Sequence, residues 1–319
     1  MTTSFVFSAL CMAAIAGAMP SKRWDNGGAP TEVEILNFAL TLEHLENAFY
    51  TQGLQKYSQQ DFIDEGLPNT ARGWWEQIAQ HECTHVEFLT DILGEQAVKP
   101  CEYKLCYLWF IWMRFFAHAI AFSPDTDPKS FAAVSFMLET VGVSAYSGAA
   151  HLLQNSDSIT ASAAILAVEA RQSAWINSAV LGANPWNTAF DSPLDLNQVY
   201  TLASGVIVSC PADNMKLPVK AFPALTFPAG AKPGDTVQIS YNATASESGS
   251  LFVAFIGGLQ ATIVPLDSDK KVTIPTELRG VVFAIVVSDA NKVDDSVTVA
   301  GPAFLPFQFD FNNQTQASG

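Results

Sequence analysis

The chain has 319 residues, 49% of them hydrophobic, which is enough to bury a sizeable core, excludes a disordered chain and makes two domains more natural than one. Its formal charge of −15, from 31 acidic against 16 basic residues, argues against nucleic acid or an anionic membrane surface as partner.

In chain order, the first feature is the apolar run from Phe5 to Ala18, which closes on Ala16-Gly17-Ala18, a small-residue cleavage pattern. Residues 1–18 therefore read as a secretory signal, too short to span a bilayer. A short segment, 19–30, follows, with Lys22 and Arg23 as a dibasic processing site. The sequons at Asn242 and Asn313 agree with secretion and make both glycosylation candidates.

Helical periodicity covers roughly 31–57, 70–94, 130–154 and 158–181. Placed on a 3.6-residue wheel, the apolar stripes carry unexpected passengers. The first reads Leu36, Ala39, Leu40, Glu43 and Tyr50; the second Trp75, Ile78, Glu82, His85, Leu89 and Ile92. The third reads Ala132, Phe136, Glu139, Val143, Tyr146 and Ala150; the fourth Ala161, Ile165, Glu169, Gln172, Ile176 and Ala179. Four carboxylates on core faces demand compensation, and clustered divalent cations supply it. One Glu from each of two helices and a Glu-x-x-His from each of the other two is the ligand set of di-iron and di-manganese four-helix bundles. Glu43, Glu82, His85, Glu139, Glu169 and Gln172 are thus the candidate metal residues, with iron or manganese as the ion.

The spacing repeats. Glu43 precedes Tyr50 by seven residues and Glu139 precedes Tyr146 by seven, and each such helix is followed by one with an inward Glu and a partner three residues on. Two related hairpins joined by the long 95–129 connection suit the crossover of a ferritin-like bundle, with Tyr50 and Tyr146 as hydrogen-bond donors to the carboxylates. Glu46 competes with Glu43 as ligand, and the parallel Glu/Tyr spacing favours Glu43. His44 reads as a packing or surface histidine, Glu87 as solvated, and Trp74, Trp75 and Trp175 as core or helix-packing residues.

Residues 182–221 lack clear period and read as a linker packing on the bundle. From 222 to 310 the sequence changes to short runs rich in Val, Ile, Phe and Thr between turn residues, indicating a small β-sandwich, with 311–319 as a tail. The fold class is therefore α+β, a helical bundle followed by a β-domain. Of the cysteines beyond the signal, Cys83, Cys101, Cys106 and Cys210, the favoured disulfide is Cys101 with Cys210, both beside Pro in loop-like sequence; buried free thiols are the alternative.

The run from Asn37 to Tyr50, the segment His81 to Leu89, Thr126 to Phe131 with Glu139 to Tyr146, and Val168 to Arg171 together resemble the secreted fungal ferritin-like proteins, described as stress-response, desiccation-related or sexual-development proteins. The resemblance covers residues 30–215 and implies a ferritin-like fold over 31–181 with a di-metal site. Where a relative would carry His, position 172 is Gln, which implies an impaired second metal site or one completed by water. The strongly aromatic stretch 106–122 interrupts the resemblance, which would run on smoothly without it; a retained intron translated by a mistaken gene model is favoured over a crossover helix or a membrane-associating patch.

Two rival readings stand beside the metal centre. His81 to His85 matches H-E-x-x-H, the zinc-protease signature, but no extension or substrate-binding strand accompanies it. Alternatively the glutamates pair with Arg72 and Arg171, and the protein is a non-enzymatic extracellular or cell-wall module whose β-domain meets the partner. Whether any reaction is catalysed stays open between these readings.

Overall fold

The computed structural model describes residues 29–104, 127–242 and 249–312. The signal segment 1–18, Lys22, Arg23, the stretch 106–122 with Cys106, and Asn313 lie outside the described residues.

Four long helices build the first part: α1 (Glu32–Lys56), α3 (Ala71–Leu93), α4 (Pro128–Ala149) and α5 (Ser156–Trp175), with a single-turn-and-a-half helix α2 (Gln59–Asp64) after α1. Three of the four long helices start on a side-chain cap; α3 does not. Thr31 and Glu34 form a capping box at α1, Asp127 caps α4 with Pro128 in its first turn, and Asn155 caps α5. α1 packs along α3 and α4 along α5, the two hairpins expected from the repeat. α5 runs on into a π-turn, Ile176–Val180, where Leu181 N–H reaches back five residues to the Ile176 carbonyl. The wider turn rotates the inward face, so Asn177 is buried beside Ile176 and Ala179 faces out, against the 3.6-residue wheel. Trp75 is buried, whereas Trp74 and Ile92 are half exposed, so these two are not core residues.

The segment 182–221 is more than a linker. It carries a helix, α6 (Leu196–Ser204), opened by a capping box at Asp195, and its Leu196, Val199, Leu202 and Ala203 enter the bundle's core. The segment packs on the bundle as expected; the helix within it was not legible because nine residues are too few to show a period against flanking Pro and Asn. Strand β1 (Glu102–Tyr103) pairs with β2 (Ile207–Ser209), and beside that pair Cys101 and Cys210 are disulfide-bonded, closing the crossover onto α6. Cys83 is a free thiol.

The C-terminal region is a set of small antiparallel sheets. Strands β6 (Leu251–Gly257), β7 (Gln260–Leu266), β9 (Gly280–Val287) and β10 (Thr298–Phe307) form a four-stranded sheet in the order β10-β9-β6-β7. Two ladders, β3 (Leu225–Thr226) with β5 (Ser240–Tyr241) and β4 (Thr236–Gln238) with β8 (Lys271–Thr273), contribute Leu225, Tyr241 and Val272 to the core on one face. Alternation decides the packing. Val253, Phe255, Val282, Ala284 and Val286 face those ladders, while Ala254, Ile256, Phe283, Ile285 and Phe304 join the bundle's own core, where Phe304 meets Phe136 of α4 edge to face. With both faces covered, β9 is buried along its whole length, which is why it reads as an unbroken apolar run.

Candidate metal centre

The bundle interior holds five buried carboxylates, Glu43, Glu46, Glu82, Glu139 and Glu169, with Gln172 buried and His85 partly buried among them. Their helices place them there for the reason read from the wheel: each sits on the stripe that also carries Leu40, Ile78, Phe136 or Ile165. Arg72 does not neutralise any of them; it pairs with Glu76 and donates to the Tyr57 and Leu54 carbonyls, and Arg171 is exposed. Glu46, set aside in favour of Glu43 by spacing alone, is buried beside it: both project inward, three residues apart on α1. The signal was present, since i and i+3 share a face.

The tyrosines act crosswise between the hairpins. Tyr50 on α1 donates to Glu139 Oε1 on α4, and Tyr146 on α4 donates to Glu43 Oε1 on α1. Behind Tyr50, Ser135 Oγ lies 2.8 Å from the phenol oxygen and accepts from Trp75 Nε1 at 3.0 Å, so donors run in one direction from indole to hydroxyl to phenol to carboxylate. Phe49, Phe62, Phe131 and Trp75 stack around this chain and keep water from it.

His85 Nδ1 lies 2.9 Å from Glu82 Oε2 and 3.2 Å from Glu43 Oε2, and one ligand atom from each of the three residues lies within 4.8 Å of the others. A second group at the same spacing is Glu43, Glu46 and Glu169. Gln172 Nε2 faces Glu82 Oε1 at 3.2 Å and His81 Nδ1 at 3.2 Å. His81 therefore turns to Gln172 while His85 turns to Glu82 and Glu43, so the two histidines of the H-E-x-x-H motif do not meet on one point. His44 bonds the Val98 carbonyl at 3.1 Å and serves packing.

Burial sets the electrostatics. It pushes Glu46, Glu139 and Glu169 well above the usual carboxylate range, with the neighbouring carboxylates adding to the rise. Burial likewise lifts Glu82 to about 7, against the pull of its hydrogen bond with His85. Burial works to lower His85, but hydrogen bonds and charge from Glu43 and Glu82 outweigh it and raise the imidazole to about 10. Burial raises the Tyr50 and Tyr146 phenols, so both remain donors.

The donor set fits divalent cations on one observation above others. Glu139 Oε2, both Glu169 oxygens and Gln172 Oε1 are buried acceptors with no hydrogen-bond partner among the described residues. Leaving an acceptor buried and unpaired costs about 1–3 kcal/mol, more for a charged one, and a cation removes that cost. Of the remaining candidates, Asn242 is exposed, and no helix among the described residues is long and apolar enough to cross a membrane.

Comparison with known proteins agrees with the geometry. Protein rds1 of Schizosaccharomyces pombe is 29% identical over 197 residues, 61% of this chain and 44% of that relative, so the chain spans less than half the relative's length. Residues 31–182 match the family model of the ferritin-like domain, and the N-terminal helical part of this chain, with its crossed Glu/Tyr pairs, is a ferritin-like domain.

Proposed function

We propose that this chain is a secreted ferritin-like protein whose bundle binds iron or manganese at a two-cation carboxylate centre. The ligands are drawn from Glu43, Glu82, His85, Glu139 and Glu169, and Gln172 lines the position where a second imidazole would stand. The unpartnered oxygens of Glu139 and Glu169 in a fully buried carboxylate cluster carry this reading. Iron or manganese held there supplies one-electron redox chemistry. The protein's own share is positional: Tyr50 holds Glu139 Oε1 and leaves Glu139 Oε2 without a partner among the described residues, Tyr146 holds Glu43 Oε1 while Glu43 Oε2 faces His85, and the aromatic stack excludes water. A role in stress or developmental response follows the resemblance of its motifs to secreted fungal relatives.

A non-enzymatic extracellular or cell-wall protein is the second reading, favoured by Trp186 and Phe190, 68% and 58% exposed, which rim a cleft of about 310 Å³ together with Asn184 and Asp191. Elemental analysis of the protein purified from its native host separates the two. Iron or manganese in stoichiometric amount, lost in Glu82→Ala, is expected; a metal-free wild-type protein refutes the metal reading. Casein cleavage abolished by Glu82→Gln would instead establish the protease.

A further inference from the structure

The twofold repeat breaks at two places, and together they relocate the second cation. An offset of 96 residues maps Glu43 onto Glu139 and Tyr50 onto Tyr146; it also maps Glu46 onto Gly142. One hairpin thus offers an extra carboxylate where the other offers no side chain at all. The missing side chain matters, because a Cβ at Gly142 would lie 2.4 Å from Glu169 Oε2 and 2.9 Å from its Cδ. Glycine makes the room in which the Glu169 carboxylate lies, and there its oxygen joins Glu43 and Glu46 in a group within 4.8 Å. Both Glu169 oxygens are buried without a hydrogen-bond partner among the described residues. At the other end of the repeat, Gln172 stands where His85 has its counterpart. Its Nε2 is committed to Glu82 Oε1 and His81 Nδ1, and flipping the amide would press its oxygen against the Glu82 carboxylate. Among the described residues no group of three His, Cys, Asp or Glu ligand atoms as close as these includes Glu139.

Resting on the reading of the cluster as a metal centre, we infer that the second cation is held by Glu43, Glu46 and Glu169, an all-oxygen seat for a hard divalent ion such as Mn²⁺, and not at Glu139 and Gln172. The centre is then asymmetric. Glu43, Glu82 and His85 form a mixed seat that takes borderline ions such as Co²⁺ and Zn²⁺ as well as iron, while the Glu46 seat accepts ions that prefer oxygen alone. Glu43 belongs to both groups and would contribute to either seat.

The test uses the full chain stripped of metal, with Mn²⁺ binding followed by equilibrium dialysis and Co²⁺ by its visible spectrum. Wild type takes two Mn²⁺ per chain. Glu46→Gln, which keeps the side-chain volume, takes one, with the Co²⁺ spectrum of the imidazole seat unchanged. Gly142→Ala, acting from the opposite wall, loses the same ion, so the inference stays testable if either variant folds poorly by circular dichroism. Gln172→Ala retains two. If Glu46→Gln and Gly142→Ala both hold two ions and Gln172→Ala or Glu139→Gln drops to one, the second ion sits at Glu139 and Gln172; the inference then fails while the metal centre stands. Wild type that binds neither ion overturns both.

Discussion

Raising the pH from 5 to 8 should destabilise the metal-free protein, which is the reverse of what paired carboxylates do. Glu82 is held at about 7 in the fold and releases its proton near 4.5 when unfolded. A carboxyl raised in the folded state adds stability that is complete below its unfolded value and is lost as pH climbs through its folded value. From 4.5 to about 7 the loss amounts to about 3 kcal/mol at roughly 1.4 kcal/mol per unit. Glu46, Glu139 and Glu169 are displaced in the same direction and add to it. His85, held at about 10, has the same sign: its contribution is whole below 6.5 and drains away as pH rises toward 10. At about 2–4 °C per kcal/mol for a domain of this size, Glu82 alone lowers Tm by about 6–12 °C. Bound cations favour the charged carboxylates and cancel the effect, so the gap between loaded and metal-free Tm widens with pH. Thermal melts by circular dichroism, with chelator and with Mn²⁺, on wild type and Glu82→Gln, measure this. A metal-free Tm that is flat or rising between pH 5 and 8, or identical slopes for wild type and Glu82→Gln, would refute the reasoning.

Other outcomes follow from single contacts. Gly148→Ala sets a Cβ 1.7 Å from the Leu194 carbonyl oxygen, where the chain before α6 docks on α4 through Leu194 N–H to Ser144 O; a loss of about 2 kcal/mol or more is expected in denaturant titrations. Trp75→Phe removes the donor to Ser135 and leaves a buried gap, lowering stability by about 1–3 kcal/mol in the same assay, and a neutral effect would show that the donor chain behind Tyr50 is not needed. Reduction of Cys101–Cys210, a link across 109 residues of sequence, should cost about 2–5 kcal/mol, read as a drop in Tm on adding dithiothreitol that Cys101→Ser no longer shows.

The long helices and their inward carboxylates were legible because burial imposes a period, and four helices of 20 to 25 residues display it many times over. Glu46 was ranked below Glu43 because the repeat was read as a rule when it is broken: Gly142, its counterpart, carries no signal of its own, and only the position of Glu169 shows what its missing side chain is for. α6 was hidden by its length, and the half exposure of Trp74 and Ile92 by the fact that a wheel ranks residues by chemistry while neighbours decide what is covered. The π-turn after Trp175 was beyond reach of a fixed period, since it is the period itself that changes there. The crosswise pairing of Tyr50 with Glu139 and Tyr146 with Glu43 was half visible: spacing marked the pairs, but only the packing of the hairpins exchanged their partners.

The most direct test of the central claim is anomalous diffraction from crystals of the full chain grown with Mn²⁺, collected so that manganese alone contributes the signal. The account predicts two peaks within the bundle, one among Glu43, Glu82 and His85 and one on the oxygen side facing Glu46 and Glu169. A bundle interior with no anomalous peak, at saturating Mn²⁺ and with the carboxylates in place, would contradict it.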